Sequence, residues 1–258
     1  MTGATNEVVV VVEQNLWSGN VGRDLRGLLT KNVPGIAWKE PVFDLVQIPQ
    51  KSFKQIFQTH RNLIIIERGS QSKISFQKNV YSKDQLVVII QYQKAEDIQN
   101  LLVKQGEMIV NHFQKTEKKR LEANMSTKKR FDFIFKKHGY YLRTPEGFLE
   151  IMDTLAFSWL EHSPSNKEII KGIFMYDVLK GTPFNKESLL GERNRLLKEY
   201  VHGVPDGAHM ITDTTIIPLS RLTTNMGFPT IEIKGIWKME GGFMGGSFVS
   251  HYILDTIN

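Results

Sequence analysis

The heptapeptide Glu7-Val8-Val9-Val10-Val11-Val12-Glu13 decides the fold class. Five consecutive β-branched residues between two carboxylates make a strand that is apolar on both faces, and such a strand belongs in the interior of a layered sheet. Working outward, Val21, Leu25, Leu28 and Leu29 recur at helical spacing after Ser18-Gly19-Asn20, and Pro34-Gly35 closes that helix. Residues 43–48 alternate as a short strand, and residues 50–52 open a helix with Phe53, Ile56 and Phe57 on one side. Residues 63–66 and 86–90 are two further apolar runs, with Ile74 and Phe76 between them. Strands alternating with helices predict a layered α/β sheet.

From Lys94 the pattern changes to one long amphipathic helix carrying Ile98, Leu101, Leu102, Met108, Ile109 and Phe113. It runs to about Arg120, with an extension toward Phe135 and a break expected near residues 124–127. After Gly139 the chain becomes strand-rich, with strands expected over residues 140–143, 148–152, 156–160, 169–178, 209–219, 230–237 and 243–254. A single helix interrupts them, capped by Asn185 and stopped by Gly203. The expected class is therefore α+β: two layered α/β halves, with mixed sheets and helices on one face, joined by a long basic amphipathic helix. The halves are residues 1–138, which include the helix, and residues 139–258.

Composition is that of a folded globular protein: 41% hydrophobic, 23% charged, and no cysteine in 258 residues. Absent cysteine removes disulfides, thiolate metal sites and cysteine nucleophiles. The net charge of +6 is concentrated. Residues 104–138 hold ten Lys or Arg against four acids, a surplus equal to the whole net charge. Within it, Lys118, Lys119, Arg120, Lys128, Lys129 and Arg130 form a candidate anionic-surface contact. Phe131, Phe133 and Phe135 interleave with these cations as base-stacking aromatics would, but their period of two fits a strand or helix end, and nucleic acid is not the expected partner.

The segment Ile236-Trp-Lys-Met-Glu-Gly-Gly-Phe-Met-Gly-Gly-Ser-Phe-Val-Ser250 places four glycines, Gly241, Gly242, Gly245 and Gly246, around Phe243 and Met244. A phosphate loop would need Gly-Lys-Ser/Thr and a following helix, whereas here a strand follows. The segment predicts a glycine-rich hairpin whose Phe243–Met244 tip, with Trp237, contacts a partner. Ser247, His251 and Asp255 do not make a triad, because residues four apart on a strand lie about 13 Å apart. His202, Asp206, His209 and Asp213 are the ligand types of a metal site without a recognised spacing, and they carry the alternative reading of a hydrolase or metal-dependent enzyme. No catalytic residue, metal or cofactor is assigned.

Several segments together resemble an uncharacterised family of Bacteroidota envelope lipoproteins known only as a domain of unknown function. They are Glu7 to Glu13 with Leu16-Trp17 and Gly22; Val33-Pro34-Gly35; Pro41-Val-Phe-Asp-Leu45 with Ile48-Pro49; Thr59-His-Arg-Asn-Leu-Ile-Ile-Ile66; Tyr81 with Gln85-Leu86; and Gly235-Ile-Trp-Lys-Met239 through Phe243-Met-Gly-Gly-Ser-Phe-Val-Ser250. The resemblance implies an exported lipoprotein, periplasmic or associated with the outer membrane, whose anchoring cysteine is absent from this chain. It also implies a further strand and helix past Asp255, so that either the C-terminus is cut or this member of the family is short. The function expected from it is non-enzymatic: a binding or scaffold module that contacts another envelope protein or a glycan.

Overall fold

The valine run becomes β1 (Glu7–Val11). In the computed structural model, which describes residues 1–36, 40–125, 131–165, 169–225 and 227–254, β1 lies inside a five-stranded sheet with β2 (Asp44–Ile48), β3 (Asn62–Arg68), β4 (Lys73–Lys78) and β5 (Leu86–Tyr92). The order is β2-β1-β3-β5-β4, parallel except for the edge strand β4. Side chains alternate as β geometry requires. Val8 and Val10 enter one core with Ile64, Ile66, Val88 and Ile90, while Val9 and Val11 enter a second with Leu63, Ile65 and Val87.

Helices α1 (Gln14–Ser18), α2 (Asn20–Leu29) and α3 (Ala95–Met125) follow. The first core takes Val21 and Leu25 from α2 and Ile98, Leu102, Ile109 and Phe113 from α3. The opposite face is covered by residues 50–57, with Phe53 and Phe57 packed on it. Residues 50–57 form two short 3-10 turns rather than the expected helix; Pro49 precedes them and Ile56 stays exposed. The β1-to-β2 connection thus crosses one face and the β2-to-β3 connection the other, so the sheet has a topological switch point between β1 and β3.

One seam of α3 is buried along its length, and it ends in charge. Glu117 and Arg120 are as buried as the apolar residues before them. Arg120 donates to Glu117 at 2.5 Å, to Asn62 Oδ1 at 2.9 Å and to the carbonyls of Arg61 and Asp84. Asn62 Nδ2 donates to Glu117 Oε1, and Arg61 stands 3.0 Å from the other carboxylate oxygen as an ion pair. Nearby, His60 is buried with Nε2 3.2 Å from Glu7 Oε1 but without hydrogen-bond geometry. Desolvation by burial holds its pKa below the ordinary value of 6.5, against the opposing pull of Glu7.

The chain divides by packing into a unit of residues 1–33 and 40–126 and a unit of residues 34–39 and 127–258. The division falls before α4 (Asp132–His138), not at Gly139. Its physical reason is that Phe131 and Ile134 join a core with Phe148 and Leu160 of the second unit. The long helix is described as far as Met125, and residues 126–127 of the expected break lie outside the described residues. The second unit holds an antiparallel sheet of β6 (Leu149–Asp153), β7 (Phe157–His162) and β8 (Lys171–Tyr176). Residues 140–142 are not a strand.

Helix α5 (Lys186–Tyr200) is capped as expected, Asn185 accepting from the Ser188 N–H. It packs Leu196 and Leu197 with Phe157 of β7, and Leu189 with Ile233 and Tyr252 of a second sheet. That sheet contains β9 (His209–Asp213), β10 (Leu219–Asn225), β11 (Phe228–Glu240) and β12 (Gly245–Ile253), all paired antiparallel. The single strand expected over residues 209–219 is therefore two strand segments, separated at a turn where Asp213 accepts from the Thr215 N–H. The α+β class stands, and among the described residues no helix is long and apolar enough to cross a membrane.

Two outcomes follow. Arg120→Ala leaves Glu117 buried without its closest cation and lowers stability by about 3 kcal/mol, whereas Lys119→Ala changes it by no more than about 0.5 kcal/mol; urea denaturation reads both. Because the His60 pKa is depressed in the folded state, its contribution is fully present above the unfolded value of 6.5 and is lost as pH falls below it. The urea midpoint therefore declines from pH 7.5 toward 5.5, and His60→Gln flattens that decline.

Candidate functional site

The glycine-rich segment is a hairpin, as its sequence predicts. Strands β11 and β12 run in register from Thr230↔Ile253 to Lys238↔Gly245. Beyond that pair, the Met239 N–H donates to the Met244 carbonyl at 2.7 Å and the Gly242 N–H to the Met239 carbonyl at 3.1 Å. The second bond closes a four-residue turn whose third residue, Gly241, has φ +77°, a left-handed conformation that a side chain disfavours. Gly242 follows it, and Phe243 and Met244 complete the tip.

Phe243 is 99% exposed and Met244 is 47% exposed. Leaving a phenylalanine ring in water forgoes about 2 kcal/mol relative to burying it. Beside the turn lies residue 204: Val204 is 87% exposed, and a Cβ on Gly242 would come within 3.4 Å of its carbonyl oxygen. The segment that carries it is closed by the Gly203 N–H donating to the Ala208 carbonyl and the Ala208 N–H donating to the Pro205 carbonyl. Val204 is therefore an exposed apolar residue whose backbone lies beside the turn. Val204 stands between a glycine and a proline with no periodic pattern around it, so only tertiary structure brings it to the tip.

Trp237 is not at the tip. It is half-buried and packs with Leu196, Leu197 and Met210. Its strand partner is Gly246, where a Cβ would lie 2.9 Å from the indole nitrogen and 3.3 Å from the ring. Gly246 is thus the floor for a core tryptophan, and Gly245 lies opposite Lys238 at the mouth of the hairpin. Below them, the buried Arg193 of α5 lies 3.8 Å from the Phe248 ring centroid and donates to Thr212 Oγ1 at 2.9 Å. Asn194 accepts from both the N–H and hydroxyl of Thr212. These contacts fix α5 to β9 and β12 under the hairpin.

The other candidate residues are dispersed or turned inward. Lys118 and Lys119 are exposed on α3, Lys118 within 3.9 Å of Glu122. Arg120 corrects the expectation of an anionic-surface contact, since its guanidinium is consumed by Glu117, Asn62 and two carbonyls. Lys128, Lys129 and Arg130 lie outside the described residues, as does Asp255. His202 and His209 face each other across a bridge, with His209 Nδ1 3.2 Å from the Gly207 carbonyl oxygen. Asp206 is exposed, and Asp213 is held below the usual carboxylate range by the Thr215 N–H. Among the described residues, no three His, Asp or Glu side chains converge as metal ligands. Ser247 and His251 sit on one strand, and His251 Nε2 lies 4.0 Å from Glu232, which Arg221 already grips through both carboxylate oxygens.

The second unit is therefore a strand-paired platform that presents an apolar hairpin tip. Residues 126–258, just over half of the chain, match the family described as Domain of unknown function (DUF4837), and the chain belongs to that family. Residues 1–126 match a separate family model, Domain of unknown function (DUF8532). No curated protein and no solved structure matches the chain.

Gly246→Val pushes the Trp237 indole off its platform. The expected result is a red shift in tryptophan emission and a lower urea midpoint; Gly27→Ala, at a helical glycine of α2 with open space around it, changes neither emission nor the Trp237 environment.

Proposed function

We propose that the chain is a non-enzymatic binding module of the cell envelope that contacts another envelope component through the tip at Phe243, Met244 and Val204. The observation that carries this reading is the 99% exposure of Phe243 on a turn fixed by two backbone hydrogen bonds. A large apolar side chain held out from a paired hairpin is preorganised for burial by a partner, because the turn's conformational freedom is already spent. Aromatic anchors of this kind dominate interface energies.

The envelope location and the native lipid anchor rest on the resemblance of residues 7–13, 33–35, 41–49, 59–66, 81–86 and 235–250 to Bacteroidota envelope lipoproteins. Lys118 and Lys119 supply the exposed cations of α3 for an anionic lipid or glycan surface. In fractionated native cells the full-length product is expected in the membrane fraction; recovery in the cytosol overturns the envelope part of the proposal.

The tip is tested by pull-down from a solubilised envelope fraction. Phe243→Ala/Met244→Ala reduces recovery of the partner by about tenfold or more while changing stability by no more than about 0.5 kcal/mol. Undiminished recovery overturns the tip as the contact.

A further inference from the structure

The first unit contains a crevice at the position where its topology opens one. It is about 560 Å³ in volume and lies at the C-terminal ends of β1 and β3, at the switch point where successive connections leave on opposite faces of the sheet. That volume is in the range of small-molecule sites, roughly 300–1,000 Å³. Val11 and Ile65 line its apolar part, and Phe53 and Tyr81 form an aromatic wall with their rings edge to face at 5.5 Å. Alternation along β3 puts Glu67 on the same face of the sheet as Ile65, and Glu13 lines the crevice from the loop just past the end of β1.

The polar groups of this crevice are unbalanced toward acceptors. Gln50, the amide in the crevice, donates its N–H to the Ile66 carbonyl at 2.9 Å. Gln91 donates to Glu67 Oε1 at 3.1 Å, leaving Oε2 of that carboxylate. Neither Glu13 nor Glu67 has an ion-pair partner among the described residues. Arg68 also lines the crevice, but its guanidinium lies over Tyr92, 5.8 Å from the ring centroid, and forms no ion pair with either carboxylate. Two carboxylates outside any ion pair, set beside the aromatic wall, call for a ligand with N–H donors, positive charge and an apolar body.

We infer that this crevice binds a small organic amine, its ammonium between Glu13 and Glu67 and its apolar body against Phe53 and Tyr81. The site lies within the first unit and owes nothing to the hairpin tip, so either reading can fail without the other.

The test is isothermal titration of the full chain with phenethylamine, with 3-phenylpropionate and methyl glucoside as charge-reversed and neutral comparators. The amine is expected to saturate, and to bind at least about tenfold more tightly than either comparator. Glu13→Gln and Glu67→Gln preserve shape and each weaken the amine by about tenfold; Tyr81→Ala weakens it as well, and circular dichroism verifies the fold of each variant. The proposal is overturned if no saturation occurs up to about 20 mM, if 3-phenylpropionate binds as tightly, or if folded Glu13→Gln binds the amine as the parent does. Phe243→Ala/Met244→Ala leaves amine affinity unchanged.

Discussion

Strand β11 has no free edge along most of its 13 residues. One edge is paired with β12 from Thr230 to Lys238, and the other with β10 up to Lys234 and then with β9 from Ile236 onward. Every backbone N–H and C=O that the strand buries must find a partner, and two strand segments supply one edge in relay. The position of the tip follows from this constraint. Since β11 cannot slip by one residue without turning Ile233 and Trp237 out of the core, the turn at Gly241 and Gly242 is fixed by the packing of the whole sheet.

The two units secure their longest elements by different means. In the second, a helix clamps the sheet: Arg193 stacks on Phe248 and bonds Thr212, with burial pulling its pKa below the usual arginine value. In the first, α3 begins with an apolar seam and ends with the Glu117–Arg120 pair, bound to Asn62 and to backbone at the N-terminal end of β3. A buried ion pair adds little net stability over an apolar substitute, but it holds one register because only one alignment satisfies all its hydrogen bonds. That arrangement leaves the C-terminal edge of the sheet open for the crevice.

Elements set by periodicity were legible in the sequence. The valine run announces a strand buried on both faces, the Asn185 cap and the leucines after it mark α5, and the four glycines mark the hairpin. What depends on distant contacts was not legible. Arg120 belongs to a run of cations, and nothing local distinguishes it from Lys119; its inward turn depends on Asn62, 58 positions away. Trp237 has the composition of a contact residue, yet strand parity puts it with Gly246 and the core. Val204 and the crevice residues Glu13 and Glu67 lie at loop or strand ends, where residue type carries no period. The boundary at residues 126–127 was missed for the same reason, because Phe131 and Ile134 reveal their allegiance only through Phe148 and Leu160.

Photo-crosslinking in native cells measures directly whether Phe243 is where the molecule meets its partner. With p-benzoylphenylalanine in place of Phe243, irradiation is expected to yield one discrete adduct in the envelope fraction. The same substitution at Leu155, which is 96% exposed elsewhere on the second unit, yields none. No adduct at position 243, or the same adduct from both positions, would contradict the assignment of the hairpin tip as a binding surface.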